Sequence, residues 1–304
     1  MTMPKISVLI ATADRPALLA GLLKSLSATR YAEAEVLILD QSRQETRQES
    51  GGDGMPIRFF RCARRGKSAA LNLGVREARA PWLAFTDDDC LVAEDWLRVI
   101  DRAARESGSG CALTGRVVAG NPEGEAVTAP SLREEVRETT FTAPTFRDVL
   151  FGNNMAIPAD LLRRAGSFDE GLGPGTHAPA AEDNDLGYRL LRAGASIRYV
   201  PGMLVTHRSW RSGPDQVKVF GGYGVGQGTF YGKHVRRGDL HMAARMARNL
   251  WDAGRDLGGA ILLGRRQDVL ASGAFARGLV RGFLRAAWSG NSGPSRSAAL
   301  TERP

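Results

Sequence analysis

Apolar residues arrive in two rhythms along this chain. Short, nearly unbroken runs read as buried strands: Ile6-Ser7-Val8-Leu9-Ile10-Ala11, Val36-Leu37-Ile38-Leu39 between Glu35 and Asp40, Ile57-Arg58-Phe59-Phe60, and Trp82-Leu83-Ala84-Phe85-Thr86. Between the first two, Leu18, Leu19, Leu22, Leu23 and Leu26 repeat at helical spacing behind Pro16, a residue suited to a first helical turn. A second helix runs through Ala69-Ala70-Leu71-Asn72 after Arg64-Arg65-Gly66-Lys67. This alternation predicts an α/β fold with a mainly parallel sheet and helices on both faces.

The pattern then loosens. Residues 119–147 are polar, with Pro130 and Pro144, and read as a loop with one short helix around Leu132–Glu138. Gly171-Leu172-Gly173-Pro174-Gly175 through Pro179 reads as a second flexible stretch. Glu182-Asp183-Asn184-Asp185 opens a helix carrying Leu186, Leu190 and Leu191 and ending at Gly194, and Ile197-Arg198-Tyr199-Val200 is a late strand. Gly221, Gly222, Gly224, Gly226 and Gly228 read as a glycine-dense loop; they lack G-x-G-x-x-G offsets and a leading strand, so no dinucleotide site is expected. From Gln267 to Trp288 the pattern is amphipathic, with Val280, Phe283, Leu284 and Ala287 near one face and Arg277, Arg281 and Arg285 as a basic stripe. Such a helix either docks on its own domain or lies on an anionic membrane surface.

Composition narrows the class. A chain of 304 residues with 43% hydrophobic and 24% charged residues fits one large globular domain with an appendage, or two modest domains. Met1 to Ile10 reads as a first strand rather than a signal peptide, and no run reaches the roughly 18 apolar residues of a spanning helix. Cys62, Cys90 and Cys111 are scattered, which predicts a reducing cytoplasm and neither zinc nor a disulfide framework. Residues 1–204 carry 25 Lys+Arg against 27 Asp+Glu, whereas residues 205–290 carry 14 against 5. The basicity therefore belongs to the C-terminal third, where Lys218, Lys233, His234, Arg236 and Arg237 could line a phosphate path, and where a merely solvated basic face is the other reading.

Asp87-Asp88-Asp89 stand where the Trp82 run gives out. Carboxylates ~6 Å apart repel by about 3 kcal/mol at an effective dielectric near 20. A fold keeps such a cluster when a divalent cation neutralises it or when it faces open water, and the end of a buried strand is where ligands of α/β sheets gather. In a locally extended chain Asp87 and Asp89 point the same way and could reach one cation. Asp183 shares a helix face with Leu186 and Leu190, which aims it at the edge of the core; the alternative is a plain first-turn acid.

Several segments then fall into one order: Ser7 to Pro16, Leu37-Ile38-Leu39-Asp40-Gln41-Ser42, Gly66 to Gly74, Phe85 to Asp89, Gly152-Asn153-Asn154-Met155-Ala156, Gly166-Ser167-Phe168-Asp169-Glu170, Glu182-Asp183, Tyr199-Val200-Pro201 and His207. Over about residues 5–210 the chain resembles family 2 of the inverting glycosyltransferases. The resemblance implies a GT-A, Rossmann-like fold, with residues 1–215 as the nucleotide-sugar-binding catalytic domain; beyond it, composition and patterning make 216–290 a basic, mainly helical extension and 291–304 a disordered tail. It implies Asp183 as catalytic base, and Asp87, Asp89 and His207 as ligands of Mg²⁺ or Mn²⁺. Thr12, Asp14, Arg15, Asp40, Lys67, Asn72, Asp87 and Asp88 are the expected nucleotide-sugar contacts, and Asn154 and Glu182 the acceptor side. Ala13 stands where many relatives place an aromatic, and Leu71 where an Arg is usual, with Lys67 or Arg15 as replacement cations. Uridine is the expected base, with deoxythymidine and guanosine open.

The function so implied is transfer of a sugar from a nucleoside diphosphate to an acceptor hydroxyl, in polysaccharide, glycolipid or other cell-envelope glycan synthesis. The expected partners are a nucleotide-sugar donor, a glycan or lipid-linked acceptor and an anionic membrane surface, at the cytoplasmic side, with no nucleic acid. Two alternatives stand beside it. A sugar-1-phosphate nucleotidyltransferase would show a glycine-rich phosphate loop after the first strand, where Thr12-Ala13-Asp14-Arg15-Pro16 stands instead. A basic nucleic-acid binder would leave residues 1–204 unexplained.

Overall fold

The computed structural model describes residues 3–43, 55–121, 131–208 and 213–288. Strands β1 (Ile6–Thr12), β2 (Ala34–Asp40), β3 (Ile57–Arg61) and β4 (Trp82–Thr86) lie parallel in the order β3-β2-β1-β4. Helix α1 (Pro16–Ala28) covers the face carrying Ile6, Val8 and Ile10, and α2 (Lys67–Glu77) covers the face carrying Leu9, Leu37 and Leu39. Burial on both faces is why β1 and β2 are apolar almost without interruption. The exception, Glu35, is buried with its carboxylate accepting from Ser7 Oγ, Arg79 N and Arg58.

Among the described residues the sheet has nine strands. After β5 (Cys90–Val92), α3 (Trp96–Ser107) and β6 (Cys111–Ala119), the chain adds β7 (Thr139–Phe141) and β8 (Asn154–Pro158). α4 (Ala159–Arg164), α5 (Glu182–Arg192) and β9 (Ser196–His207) follow. β8 inserts antiparallel beside β4, β6 and β9 pair parallel, and β5 and β7 each pair antiparallel with β9. The chain crosses from β1 to β2 on one side and to β4 on the other. This makes the carboxyl ends of β1 and β4 the crevice where α/β sheets collect ligands.

Three expectations are corrected. No helix forms at 132–138; Arg133 instead makes a β-bridge with Val117, and its guanidinium lies over the rings of Phe151 and Tyr199, which holds that segment extended on β6. The stretch 171–179 is pinned rather than loose, because Gly173 N donates to Ala178 O and Lys67 N to Pro174 O, each at 2.9 Å. The glycines at 221–228 lie inside a helix, not a loop. The expected disordered tail at 291–304 lies outside the described residues.

That helix, α6 (Gly213–Val235), is followed by α7 (Leu240–Leu262) and α8 (Arg266–Trp288). α6 and α8 run parallel and meet through glycine: a Cβ on Gly228 would stand 2.0 Å from Leu279 O, and one on Gly282 2.2 Å from Val225 O. Small residues four apart let two helix backbones approach this closely, the logic of small-xxx-small contacts. The docking face of α8 is accordingly Gly278, Leu279, Gly282 and Ala286, while Val280 and Leu284, assigned to it from periodicity, are exposed. A small core of Tyr188, Phe230, Tyr231, Met242 and Leu279 ties the trio to α5. Beneath it, fully buried Asp185 binds Arg189, Lys233 and His234 at 2.7–2.8 Å; burial alone would raise its pKa, but these partners hold it well below the carboxylate range. Lys233 and His234 are thereby consumed, so the anticipated phosphate path through them is not built.

Alanine at Gly228 gains roughly 1 kcal/mol of helix propensity but forces the backbones apart, a net loss of about 2 kcal/mol. Alanine at Gly254 of α7, where a Cβ meets nothing within 4 Å, should stabilise by up to about 1 kcal/mol. Urea midpoints at unchanged slope measure both; a neutral G228A would contradict the packing described.

Candidate active site

The site begins where β4 ends. After Thr86 the chain turns, Cys90 N donating to Asp87 O, so Asp87 and Asp89 do not alternate as in a strand. The three carboxylates fan out to different partners. Asp87 Oδ1 reaches Lys67 Nζ at 2.5 Å, and Asp88 accepts from Thr12 Oγ1 at 2.8 Å and Arg15 at 3.2 Å. Asp89 meets Arg15 at 3.4 Å and His207 Nε2 at 3.3 Å. This is how the fold relieves the repulsion that the sequence implies. Burial pushes Asp88 up, outweighing its bonds to Thr12 and Arg15; burial also opposes Asp89, yet His207, Arg15 and Lys67 bring it down to about 2.

His207 ends β9 opposite Cys90 of β5, a register that sets its ring against Asp89. Single ligand atoms of Asp89, Cys90 and His207 lie within 4.8 Å of one another. Burial and the flanking aspartates keep the Cys90 thiol well above its ordinary pKa, so it stays protonated and is a poor ligand for a hard cation. Asp89 and His207 supply the oxygen and nitrogen that fit Mn²⁺ or Mg²⁺ beside a cavity open to phosphate oxygens. Asp87, expected in that set, is turned to Lys67.

Two cavities meet here. One, of about 300 Å³, is lined by Thr12, Ala13, Arg15, Gln41, the three aspartates and His207. The other, of about 360 Å³, holds Asp148, Glu182 and Asp183. Lys67, Asp87, Ser131, Pro174 and Tyr223 border both. Half-buried Lys67 stands between Asp87 and Glu182, 3.5 Å from the latter; desolvation works against its charge, but these carboxylates raise its pKa further and fix it as a cation.

Asp183 lies in the first turn of α5, after Ala181, whose left-handed φ of 70° is a strained conformation for a residue with a Cβ. Its Oδ2 accepts from Gly152 N and its Oδ1 from Asn184 N, both at 2.8 Å. Burial first, and the charge of Glu182 second, push its pKa up to about 7 against the pull of the Gly152 N–H and Lys67. A carboxyl poised there, in a cleft, is suited to general-base work.

Four expected contacts lie elsewhere. Asn154 is fully buried, accepting from Trp96 Nε1 and donating to Arg116 O and Met203 O, so it cannot face an acceptor. Asn72 spends its amide on Phe168 and Glu170, fastening α2 to the 166–170 turn. Asp14 accepts from Arg43 N, and Asp40 from Ser42 N and Arg61; neither lines the two cavities. Conversely, Tyr223 of α6, Asn249 of α7 and Phe275 of α8 wall the larger cavity, and no local motif marks them. Only the four-residue glycine spacing that docks these helices could have pointed there.

Comparison with known proteins fits this geometry. Residues 7–169 match the model of glycosyl transferase family 2. A comparison with curated protein sequences finds no match. Among solved structures, the mannosyltransferase PcManGT from Pyrobaculum calidifontis, in complex with GDP-Man and Mn²⁺, is similar at 18% identity and a TM-score of 0.58, covering 95% of this chain and 88% of that one. S. aureus TarS 1–349 with UDP-GlcNAc is similar at 16% identity and a TM-score of 0.51, covering 91% and 92%. At such identity the likeness establishes the fold, which is GT-A. With more than half its length matched by the family and its carboxylates gathered at the edge where that fold binds ligands, the chain belongs to glycosyl transferase family 2 and is a glycosyltransferase.

Proposed function

We propose that the protein is a metal-dependent inverting glycosyltransferase that moves a sugar from a nucleoside diphosphate, with UDP as the expected carrier, to an acceptor hydroxyl in cell-envelope glycan synthesis. The observation that carries this reading is the carboxyl of Asp183, held by Gly152 N at 2.8 Å in a cavity that shares the wall of Lys67, Asp87, Ser131, Pro174 and Tyr223 with the aspartate–histidine cluster. The donor occupies the smaller cavity, where Arg15 and Lys67 face its diphosphate and Asp89 and His207 hold the metal. Bound there, the ion supplies Lewis-acid stabilisation of the leaving group. The acceptor enters the larger cavity, and Asp183 takes the proton of its attacking hydroxyl. Displacement from the side opposite the diphosphate inverts the sugar carbon. The GDP-Man, UDP-GlcNAc and Mn²⁺ of the similar structures support the donor class and the metal.

The acceptor moiety next to Asp183 is neutral. Asp87, Asp148, Glu182 and Asp183 line that cavity with Lys67 the one cation among its lining residues, so a phosphate or uronate there would meet like charge. Tyr223, Phe151 and Phe275 supply the aromatic faces.

Asp183→Asn should fold and bind donor but transfer sugar at least ~100-fold more slowly, as loss of a general base requires. The base works as the carboxylate, which lies above pH 7. The wild-type kcat/KM should therefore rise about tenfold per pH unit below 7 and level off above it. Retained turnover in D183N, or a flat profile between pH 5 and 8, would remove Asp183 from the role. For the donor, Mn²⁺ with a panel of UDP-, GDP- and dTDP-sugars should raise the melting temperature for one base and lose the effect with EDTA or in His207→Ala. Stabilisation indifferent to metal would count against the assigned ligands.

A further inference from the structure

We infer that the turn joining α7 to α8 is a lipid-insertion tip that seats the enzyme on an anionic membrane surface. Residues 261–267 are all exposed, and Ile261, Leu262 and Leu263 are three consecutive large aliphatics at 59%, 88% and 65% exposure. A run of this kind is out of place on a water-facing surface unless it has a partner. Among the described residues none covers it. Where a Cβ would stand at Gly254, Gly258, Gly259 or Gly264, no atom lies within 4 Å, so this face of the outer half of α7 is open, while Ala253 and Ala260 are buried on the other. Trp251 lies on the face of Leu262, eleven residues earlier, and is 72% exposed.

Charge selects the occupant. Residues 240–288 carry eight arginines against three aspartates, with no lysine and no glutamate. Arg265 and Arg266 follow the aliphatic run directly and are exposed, as are Arg277, Arg281 and Arg285 along α8 between Val280, Leu284 and Trp288. Aliphatic side chains followed directly by two arginines, with further arginines along α8, match the acyl boundary and anionic headgroups of one leaflet. A second copy of the chain would bring the same positive charge. A stable dimer also needs about 800 Å² from each partner, more than a three-residue tip supplies. Among the described residues no helix is long and apolar enough to cross a membrane, so the tip rests in one leaflet.

The placement has a consequence for the acceptor. Asn249 walls the larger cavity and stands thirteen residues before Leu262 on the same helix, about 20 Å along its axis at 1.5 Å per residue. The headgroup plane then lies within reach of that cavity, and a neutral sugar on a lipid anchor could enter it. This step rests on the transferase reading; the membrane contact does not.

Flotation of the full chain with phosphatidylglycerol/phosphatidylcholine vesicles tests the tip. Wild type should float with the anionic vesicles and at least tenfold less with pure phosphatidylcholine. Leu262→Asp with Leu263→Asp, and separately Arg265→Gln with Arg266→Gln, should each lower the bound fraction tenfold or more, with melting temperature and D183-dependent activity on a soluble acceptor unchanged. Equal flotation of the aspartate variant, or equal binding to neutral vesicles, overturns the proposal. So does a wild-type dimer that the aspartate variant converts to monomer.

Discussion

Lys67 is the cation on which the architecture of the site depends. It opens α2, its N–H is tied to Pro174 O, and its ammonium lies between the carboxylates of Asp87 after β4 and Glu182 at the start of α5. Three elements that meet only at the carboxyl edge of the sheet are thus held by one half-buried charge. Without it, Asp87, Glu182 and Asp183 would face one another across low-dielectric space, where like charges cannot all stay ionised. The same ammonium moderates the rise of Asp183, so the pull on that carboxyl and the wall between the two cavities share one cation.

Charge is divided between surfaces. The cleft is acidic and the C-terminal helices are basic, so the overall charge of +8 describes neither. An acidic cleft favours a cation over a free anion. The basic helices keep their arginines on the outside and spend Lys233, His234 and Arg245 on Asp185, Asp169 and Asp148. Basicity in the sequence therefore pointed to a surface and not to a phosphate channel. The nucleic-acid and nucleotidyltransferase alternatives fall with the family assignment.

What the sequence made legible follows from how each feature is encoded. β1, β2 and β4 are buried on both faces, so their apolar runs are unambiguous, and the aspartates after β4 stand out because nothing apolar wants them. Asn72 and Asn154 belong to motif-like strings too, but their amides close hydrogen bonds between distant segments, ninety-six residues apart for Asn72 and Phe168. A string cannot distinguish an amide aimed at ligand from one aimed at a carbonyl. The helical trio was hidden for the opposite reason. Its packing is written in missing side chains, and glycine spacing within a helix looks like a loop until the partner helix is in place.

Gly152 joins these arguments. A Cβ on it would stand 3.2 Å from Asp183 Oδ2, tighter than side chains ordinarily tolerate, so the absence of a side chain lets its N–H reach the carboxylate at 2.8 Å. That bond stabilises the charged form of Asp183, whereas burial and Glu182 stabilise the neutral one. Remove the bond, and the neutral carboxyl is favoured further; remove the burial, and the group falls toward an ordinary aspartate. The pKa of this carboxyl is a balance struck between the turn that leads into β8 and the first turn of α5. The strained left-handed Ala181 is the joint that aims that turn into the cleft.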